Sequence, residues 1–487
     1  MKVSANRIDM QRARIDQAVF RDFSWTKNAP AISSGTLTLD ISTGNVFEVS
    51  LTQNVTTLNI TNPAPSGQAC TFDLILSGAG SARTITWPSS VQWSGGAAPS
   101  LGSGNNGRKD FFTFYTTNAG TNWYGIIRGQ NILPSPSLFT WGNNGSGQLG
   151  LGDLTTRSSP VQVGALTTWL NIAGGAYRTI AIKTDGTLWS WGHNAQGQLG
   201  LGDLTNRSSP VQVGALTNWS SIAAGYDHTI AIKTDGTLWG WGLNTSGQLG
   251  LGDLTNRSSP VQVGALTNWS SIAGGGLHIL ALKTDGTLWA WGGNSSGQLG
   301  LGNTTIYSSP KQVGALTNWL SVAAGYVYSI ALKTDGTLWT WGLNNQGQLG
   351  LGNITDYSSP KQVGALTTWL SIAAGRYHTI ALKTDGTLWT WGNNSSGQLG
   401  LGNITNYSSP KQVGALTNWL NIAGGWKYTL AIKTDGTLWT WGNNGNGQLG
   451  LGTSGVGTYK SSPNQVGALT TWLSIAAGRY HTIATRS

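Results

Sequence analysis

The chain has 487 residues, 28 basic against 18 acidic for a formal charge of +10, one cysteine (Cys70) and one glutamate (Glu48). That length suits two or three domains, a lone cysteine leaves no disulfide framework or cysteine metal site, and aspartates confined mostly to turns offer no paired carboxylates for acid/base catalysis. The positive excess divides as +3 over residues 1–137 and +7 over the rest, spread rather than massed in a stripe, so nucleic acid is not indicated as a ligand.

Residues 1–24 place Ile8, Ile15 and Val19 near one helical face, with Arg12, Arg14 and Asp16 over the rest. This predicts a short N-terminal helix for attachment or oligomerisation, with packing on its own domain as the equal alternative. It is charged throughout and lacks the apolar stretch of a secretory signal, and no run in the chain is apolar enough to span a membrane. Residues 25–130 follow as alternating strands: Thr36-Leu-Thr-Leu-Asp, Asn45-Val-Phe-Glu-Val-Ser-Leu, Thr57-Leu-Asn-Ile, Cys70-Thr-Phe-Asp-Leu-Ile-Leu, Phe111-Phe-Thr-Phe-Tyr and Asn122-Trp-Tyr-Gly-Ile-Ile. Their separation by Gly, Ser, Asn and Pro predicts a β-sandwich-like domain. Over residues 36–128 the features Gly44-Asn-Val-Phe-Glu-Val-Ser-Leu-Thr, Arg83-Thr-Ile-Thr-Trp-Pro and Phe111-Phe-Thr-Phe-Tyr-Thr-Thr-Asn-Ala-Gly resemble a module of bacteriophage fibre and other virion proteins. That resemblance implies a virion location, other virion proteins as partners of the N-terminal region, and a homotrimer. Residues 131–137, with Pro134 and Pro136, read as a short stiff linker.

From residue 138 the chain repeats. Trp141 to Trp441 recur every fifty residues, each followed by Gly and most by Asn-x-x-Gly-Gln-Leu-Gly-Leu-Gly, and a second tryptophan series runs from Trp169 to Trp472. Seven copies of each signature mean seven units, none able to bury its apolar face alone. Within a unit the pieces around Pro160–Val163, Trp169–Gly174, Arg178–Lys183 and Thr187–Gly192 are short and rich in β-branched and aromatic residues, so each unit is read as a four-stranded antiparallel sheet. Asp185-Gly186 and its equivalents mark a tight hairpin, for which positive φ is expected at both central positions. The last unit lacks its Thr-Leu-Trp-x-Trp-Gly strand and the first begins with it, as Leu138–Gly142. Pairing the two chain segments closes a ring without an open edge. The predicted class is all-β: a seven-bladed β-propeller over 138–487 with strand-exchange closure, preceded by the sandwich-like domain and the short helix.

Ile-Ala-Ala-Gly is small enough for the innermost strand, and the tryptophans fill the widening wedges between blades. Strand order then puts the Asp-Gly turns on one face and, on the other, the loops that differ most between units. The upper set comprises Tyr177 and Arg178, Tyr226 and His228, His278, Tyr326 and Tyr328, Arg376, Tyr377 and His378, Trp426, Lys427 and Tyr428, and Arg479, Tyr480 and His481. A second variable position holds His193, Leu243, Gly293, Leu343, Asn393 and Asn443, and a third holds Arg157, Arg207 and Arg257 but then Tyr307, Tyr357 and Tyr407. Drift in tolerant loops would produce this pattern. So would a binding surface diversified unit by unit, whose Tyr, Trp, Arg and His content combines rigid area with adaptable hydrogen bonds. The histidines sit on separate blades, too far apart to share a metal.

Trp-Gly-x-Asn-x-x-Gly-Gln-Leu-Gly-Leu-Gly at 191–202 and Ala-Ala-Gly-x-x-His-Thr-Ile-Ala at 373–381 resemble the regulator-of-chromosome-condensation repeat. The resemblance implies the same propeller fold and a range of functions: nucleotide-exchange factor, enzyme inhibitor or protein-binding scaffold. Both resemblances together predict a bacteriophage fibre or fibre-like protein on the tail or capsid surface, and the missing carboxylate pair and the separated histidines predict no enzymatic activity and no cofactor. Its propeller would present a receptor-binding face to a host-surface glycan or protein. The alternatives are a non-viral binding or inhibitory propeller and a guanine-nucleotide exchange factor.

Overall fold

Alternating apolar strands in the first part of the chain cover one shared core. The computed structural model describes residues 27–63, 65, 70–78, 83–93, 98–99, 101, 109–116, 118–132, 136–165 and 168–487. Two units result, Met1–Pro134 and Ser135–Ser487. The helix expected over residues 1–24 lies outside the described residues.

In the first unit, strands β1 (Lys27–Asn28), β3 (Val46–Leu51), β5 (Cys70–Gly78), β7 (Lys109–Thr116), β8 (Trp123–Ile132) and β6 (Val91–Trp93) form one sheet in the order β1-β3-β5-β7-β8-β6. β2 (Thr36–Asp40) and β4 (Thr57–Thr61) form a parallel pair. Leu37 and Leu39 of β2 share a core with Phe47, Phe72, Leu74, Phe114 and Trp123 of the larger sheet. Phe72 stacks on Phe114 at 4.9 Å and meets Trp123 edge-on at 5.2 Å. The pairs β1–β3, β3–β5 and β6–β8 are parallel. This departs from the matched antiparallel sheets expected of a sandwich. Alternation reports which faces are buried but not strand direction, so the parallel pairing left no mark in the sequence.

The second unit is a seven-bladed propeller. The first blade runs outward from the axis as Trp169–Gly174, Arg178–Lys183, Leu188–Gly192 and Arg207–Gln212, and the next five repeat that order. Small residues let the inner strands converge: Gly174, Ala224, Gly274, Ala324, Ala374, Gly424 and Ala477 border a common axial cavity. The seventh blade combines Trp472–Ala477 and His481–Arg486 with Ser137–Gly142 and Arg157–Gln162. His481 pairs with Gly142, Ile483 with Thr140 and Arg486 with Ser137. The ring is therefore closed by strand exchange.

The tryptophans fill the wedges. Trp141, Trp191, Trp241, Trp291, Trp341, Trp391 and Trp441 are all fully buried, each packed in a cluster drawn from two blades. A third tryptophan in each complete unit is half-buried under a lysine, as where Lys183 Nζ lies 3.6 Å over Trp189 and 5.0 Å over Trp169.

The Asp-Gly hairpins differ from the expected type. Gly186 has φ +77°, but Asp185 is not among the residues with positive φ. Gly186 N–H donates to Lys183 O and Lys183 N–H to Thr187 O, a turn followed by one left-handed glycine, which needs positive φ once only. Asp185 earns its place through its side chain, which accepts from the Thr187 N–H at 2.9 Å and hydroxyl at 2.6 Å. Ile483 is the buried centre of the closing strand. Ile483→Pro removes a ladder donor between two partners and is expected to cost at least about 3 kcal/mol. A urea midpoint matching the parent protein would show that the seventh blade does not support the ring.

Candidate functional site

The loops after the inner strand and after the third strand share one face, because Arg178 at the start of the second strand pairs with Gly192 at the end of the third. On this face the three residues after Gly-Gly or Ala-Gly occupy three environments, decided by how the second strand begins.

The third residue of each triplet is its first strand residue and is fully buried: Arg178, His228, His278, Tyr328, His378, Tyr428 and His481. All seven are enclosed between blades and six of them latch one blade to the next, which corrects their reading as surface residues. Arg178 donates to Tyr226 O at 2.7 Å and to His228 O of the next blade. Tyr328 and Tyr428 donate their hydroxyls to His378 O and His481 O in the same way. His278, His378 and His481 each place Nε2 at 3.0–3.1 Å from the hydroxyl of Ser329, Thr429 and Thr179. His228 alone has neither ring nitrogen partnered, since its opposite number is Ile279. Burial lowers Arg178 to about 10 and lowers each of these four histidines from 6.5 to about 3, so all four are neutral in the folded protein.

The first residue of each triplet points over the axis. Ala176 and Gly276 leave space there, and Tyr226, Tyr326, Arg376, Trp426 and Arg479 converge on it from five blades. Tyr226 meets Tyr326 at 5.8 Å and Trp426 at 6.4 Å. The Arg376 guanidinium lies 4.0 Å from the Trp426 ring centre and 4.8 Å from that of Tyr326; the Arg479 guanidinium lies 3.2 Å from Trp426. Arg479 Nη1 also donates to the Tyr226 hydroxyl at 2.5 Å. Among the described residues neither guanidinium has a carboxylate partner. The second residues form an outer ring: Tyr377 is 4.7 Å from the Arg376 guanidinium, Tyr480 and Tyr177 are 4.8 and 5.2 Å from that of Arg479, and Lys427 is exposed. The cavity beneath measures 210 Å³ and is walled by backbone of the inner strands.

The other two variable positions are internal ties. Asn143, His193, Asn393 and Asn443 hydrogen-bond the glutamine five residues later, whereas Leu243 and Leu343 leave the amide nitrogens of Gln248 and Gln348 unpartnered. At the rim, Arg157, Arg207 and Arg257 pair with Asp153, Asp203 and Asp253. Tyr307, Tyr357 and Tyr407 instead accept from Asn303, Asn353 and Asn403 at 3.2–3.3 Å. Arginine and tyrosine there change together with the residue four positions earlier, a signal visible in the repeats and missed.

Sequence reasoning also missed the glutamine carbonyl of Gly-Gln-Leu-Gly. Gln148 O accepts from Thr179 at 2.8 Å and from Trp191 Nε1 at 3.0 Å, both in the following blade. The repeats carried a hint, since Ile279 is the one departure from Thr or Ser at the position of Thr179.

Residues 135–371 match the family model described as RCC1-like domain, and residues 385–432 and 435–485 match the regulator of chromosome condensation (RCC1) repeat. Prp20p from Saccharomyces cerevisiae, a structure described with its binding to Gsp1p and histones, superposes with a TM-score of 0.66 at 22% identity, covering 72% of this chain and 92% of its own. Human WBSCR16 gives 0.65 at 22% identity, covering 72% and 99%, and yeast RCC1 bound to Kap60 gives 0.65 at 22%, covering 72% and 89%. No curated protein sequence matches. At that identity the structures establish the fold. These findings overturn the virion reading. The relatives named are RCC1-type propellers and not fibres, and the expectations of tail or capsid location, virion partners, a homotrimer and a host glycan or receptor are withdrawn. The N-terminal resemblance rested on strand order and composition, which many β-domains share.

Two outcomes are expected from the latches. Ile279→Thr supplies an acceptor for His228 and a donor for Gln248 O, and should stabilise the protein by about 1 kcal/mol after the lost methyl is counted, measured by urea unfolding. The four buried histidines take up protons only on unfolding, between about pH 3 and pH 6.5, so stability rises with pH across that window. The unfolding midpoint should therefore fall steadily from pH 7 to pH 5. A midpoint independent of pH there would mean that the histidines titrate alike in the folded and unfolded states.

Proposed function

Taking residues 135–485 as an RCC1-like repeat propeller, we propose that the chain is a protein-binding propeller that engages its partner with the upper face. The observation that carries this reading is the convergence of Tyr226, Tyr326, Arg376, Trp426 and Arg479 from five blades onto one axial mouth. Partly exposed aromatic and arginine side chains held in contact are the composition of energetically dominant interface residues. They are also pre-ordered by ring–ring and cation–π contacts, so little side-chain entropy is lost on binding. The Lys-Thr-Asp-Gly-Thr turns of the lower face recur with the same sequence in all six units that contain them and offer no such focus.

A partner of acidic surface suits a chain of charge +10, which would be repelled by a strongly basic one. The second reading is guanine-nucleotide exchange. It is favoured by the fold shared with Prp20p, whose structure is described with binding to Gsp1p, and by the exchange-factor activity the repeat resemblance implies. Acceleration of guanine-nucleotide release from purified Gsp1p would separate the two readings.

A photo-reactive residue at Lys427 should cross-link a protein partner in extracts of the source cell, whereas one at Leu366 in the turn beneath should not. Replacing the five axial residues by Ala should abolish that cross-link and leave the melting temperature within a few degrees. Equal cross-linking from both faces, or persistence in the five-residue variant, would overturn the assignment of the binding face.

A further inference from the structure

The arginines at the axial mouth lie with their faces on aromatic rings and their Nε donors without an acceptor. Arg376 and Arg479 each lie against the Trp426 ring, and Arg376 also against Tyr326 and Tyr377. An aromatic ring occupies the flat face of a guanidinium and leaves its in-plane N–H groups to bind elsewhere. Arg479 uses one of these on the Tyr226 hydroxyl. The Nε of Arg376 and the Nε of Arg479 are both enclosed yet have no acceptor among the described residues. Arg157, Arg207 and Arg257 are neutralised by aspartates, and Arg178 gives its Nη groups to backbone carbonyls although its Nε also has no acceptor. Enclosed donors without acceptors are costly, and the cost is removed by a ligand that brings an acceptor.

We infer that the axial mouth is a receptor for one carboxylate side chain, an Asp or Glu carried on an acidic segment of the partner protein, bound by the N–H edges of Arg376 and Arg479. This rests on the upper-face reading and names the chemistry it recognises. A carboxylate matches the guanidinium fork in shape and charge. The 210 Å³ cavity is smaller than the roughly 300–1,000 Å³ of pockets that enclose free small molecules, but it admits a side chain entering along the axis. Tyr177, Tyr377 and Tyr480 surround the entrance and provide contact area for the residues flanking that side chain. Lys427, exposed beside Trp426, extends the positive field outward.

The test uses the full chain at low salt and fluorescence anisotropy of labelled peptides: a short glycine–serine peptide with a central run of glutamates, its glutamine counterpart, and a phosphoserine counterpart. The glutamate peptide should bind and the glutamine peptide should not. R376Q and R479Q should each weaken binding by about tenfold, the loss of one charge-assisted bidentate contact. R376K, which keeps the charge and loses the fork, should also weaken it, and K311Q on the outer strand should not. Melting curves that match the parent protein verify that the variants fold. Tighter binding of the phosphoserine peptide, displaced by inorganic phosphate, would make the site a phosphate receptor and overturn the proposal. Equal weakening by K311Q would reduce it to unspecific charge attraction and also overturn it. If no peptide binds while the cross-link from Lys427 still depends on the five axial residues, the carboxylate inference fails and the upper-face reading stands; if both are lost, both fail.

Discussion

Gln148 O accepts from Thr179 and from Trp191, and neither donor belongs to its own blade. The same shared acceptor recurs at Gln298, Gln348, Gln398 and Gln448. It explains why so glycine-rich a chain holds a fixed shape. The loop must lean far enough over its neighbour to deliver that carbonyl, so Gly150 sits at φ +71° where a Cβ would lie 2.6 Å from Trp191 Nε1. The latches act in the same direction, from the second strand of one blade onto the next. Tryptophan burial gives the wedges volume, while these buried hydrogen bonds set the spacing and rotation between them.

The axial mouth is a by-product of that arrangement. Once the third residue of each triplet is committed to the neighbouring blade, the first must project over the axis, whatever its identity. Seven such positions meet there, and the units differ at them more than at any latch. Enlarging Ala176 would change what the mouth presents, whereas a Cβ at Gly276 would collide with Tyr326 O, the acceptor of the Gly276 N–H on the next blade. The latch position and the axial position are thus separated by two residues of sequence.

The unit count, the four strands per blade, the radial order and the pairing of Leu138–Gly142 with His481–Ala484 were all legible, because each depends on period, side-chain size or a missing strand. What was not legible depends on a side chain's direction at a strand start. Tyr328 and Tyr326 look alike in sequence, yet one is enclosed between blades and the other borders the cavity. His228 and His278 likewise gave no sign that one would face Ile279 and the other Ser329. The hairpin type failed for a different reason: Asp-Gly serves several turns, and the distinction lies in whether Asp185 uses its backbone or its carboxylate. In the first unit, alternation located the buried faces of β3, β5 and β7 but carried no information about parallel pairing.

The seventh blade bears on how the molecule avoids assembling wrongly. Its strand 137–142 is nearly interchangeable with the third strand of every other blade, so sequence preference alone would allow it to dock anywhere around the circle. Six of those berths are already filled by a strand a few residues downstream in the same unit, which arrives first because the tether is short. Only His481–Arg486 is left with a vacant flank. Fidelity in this chain therefore comes from vacancy rather than from recognition, and the same vacancy is the point at which two copies could trade strands.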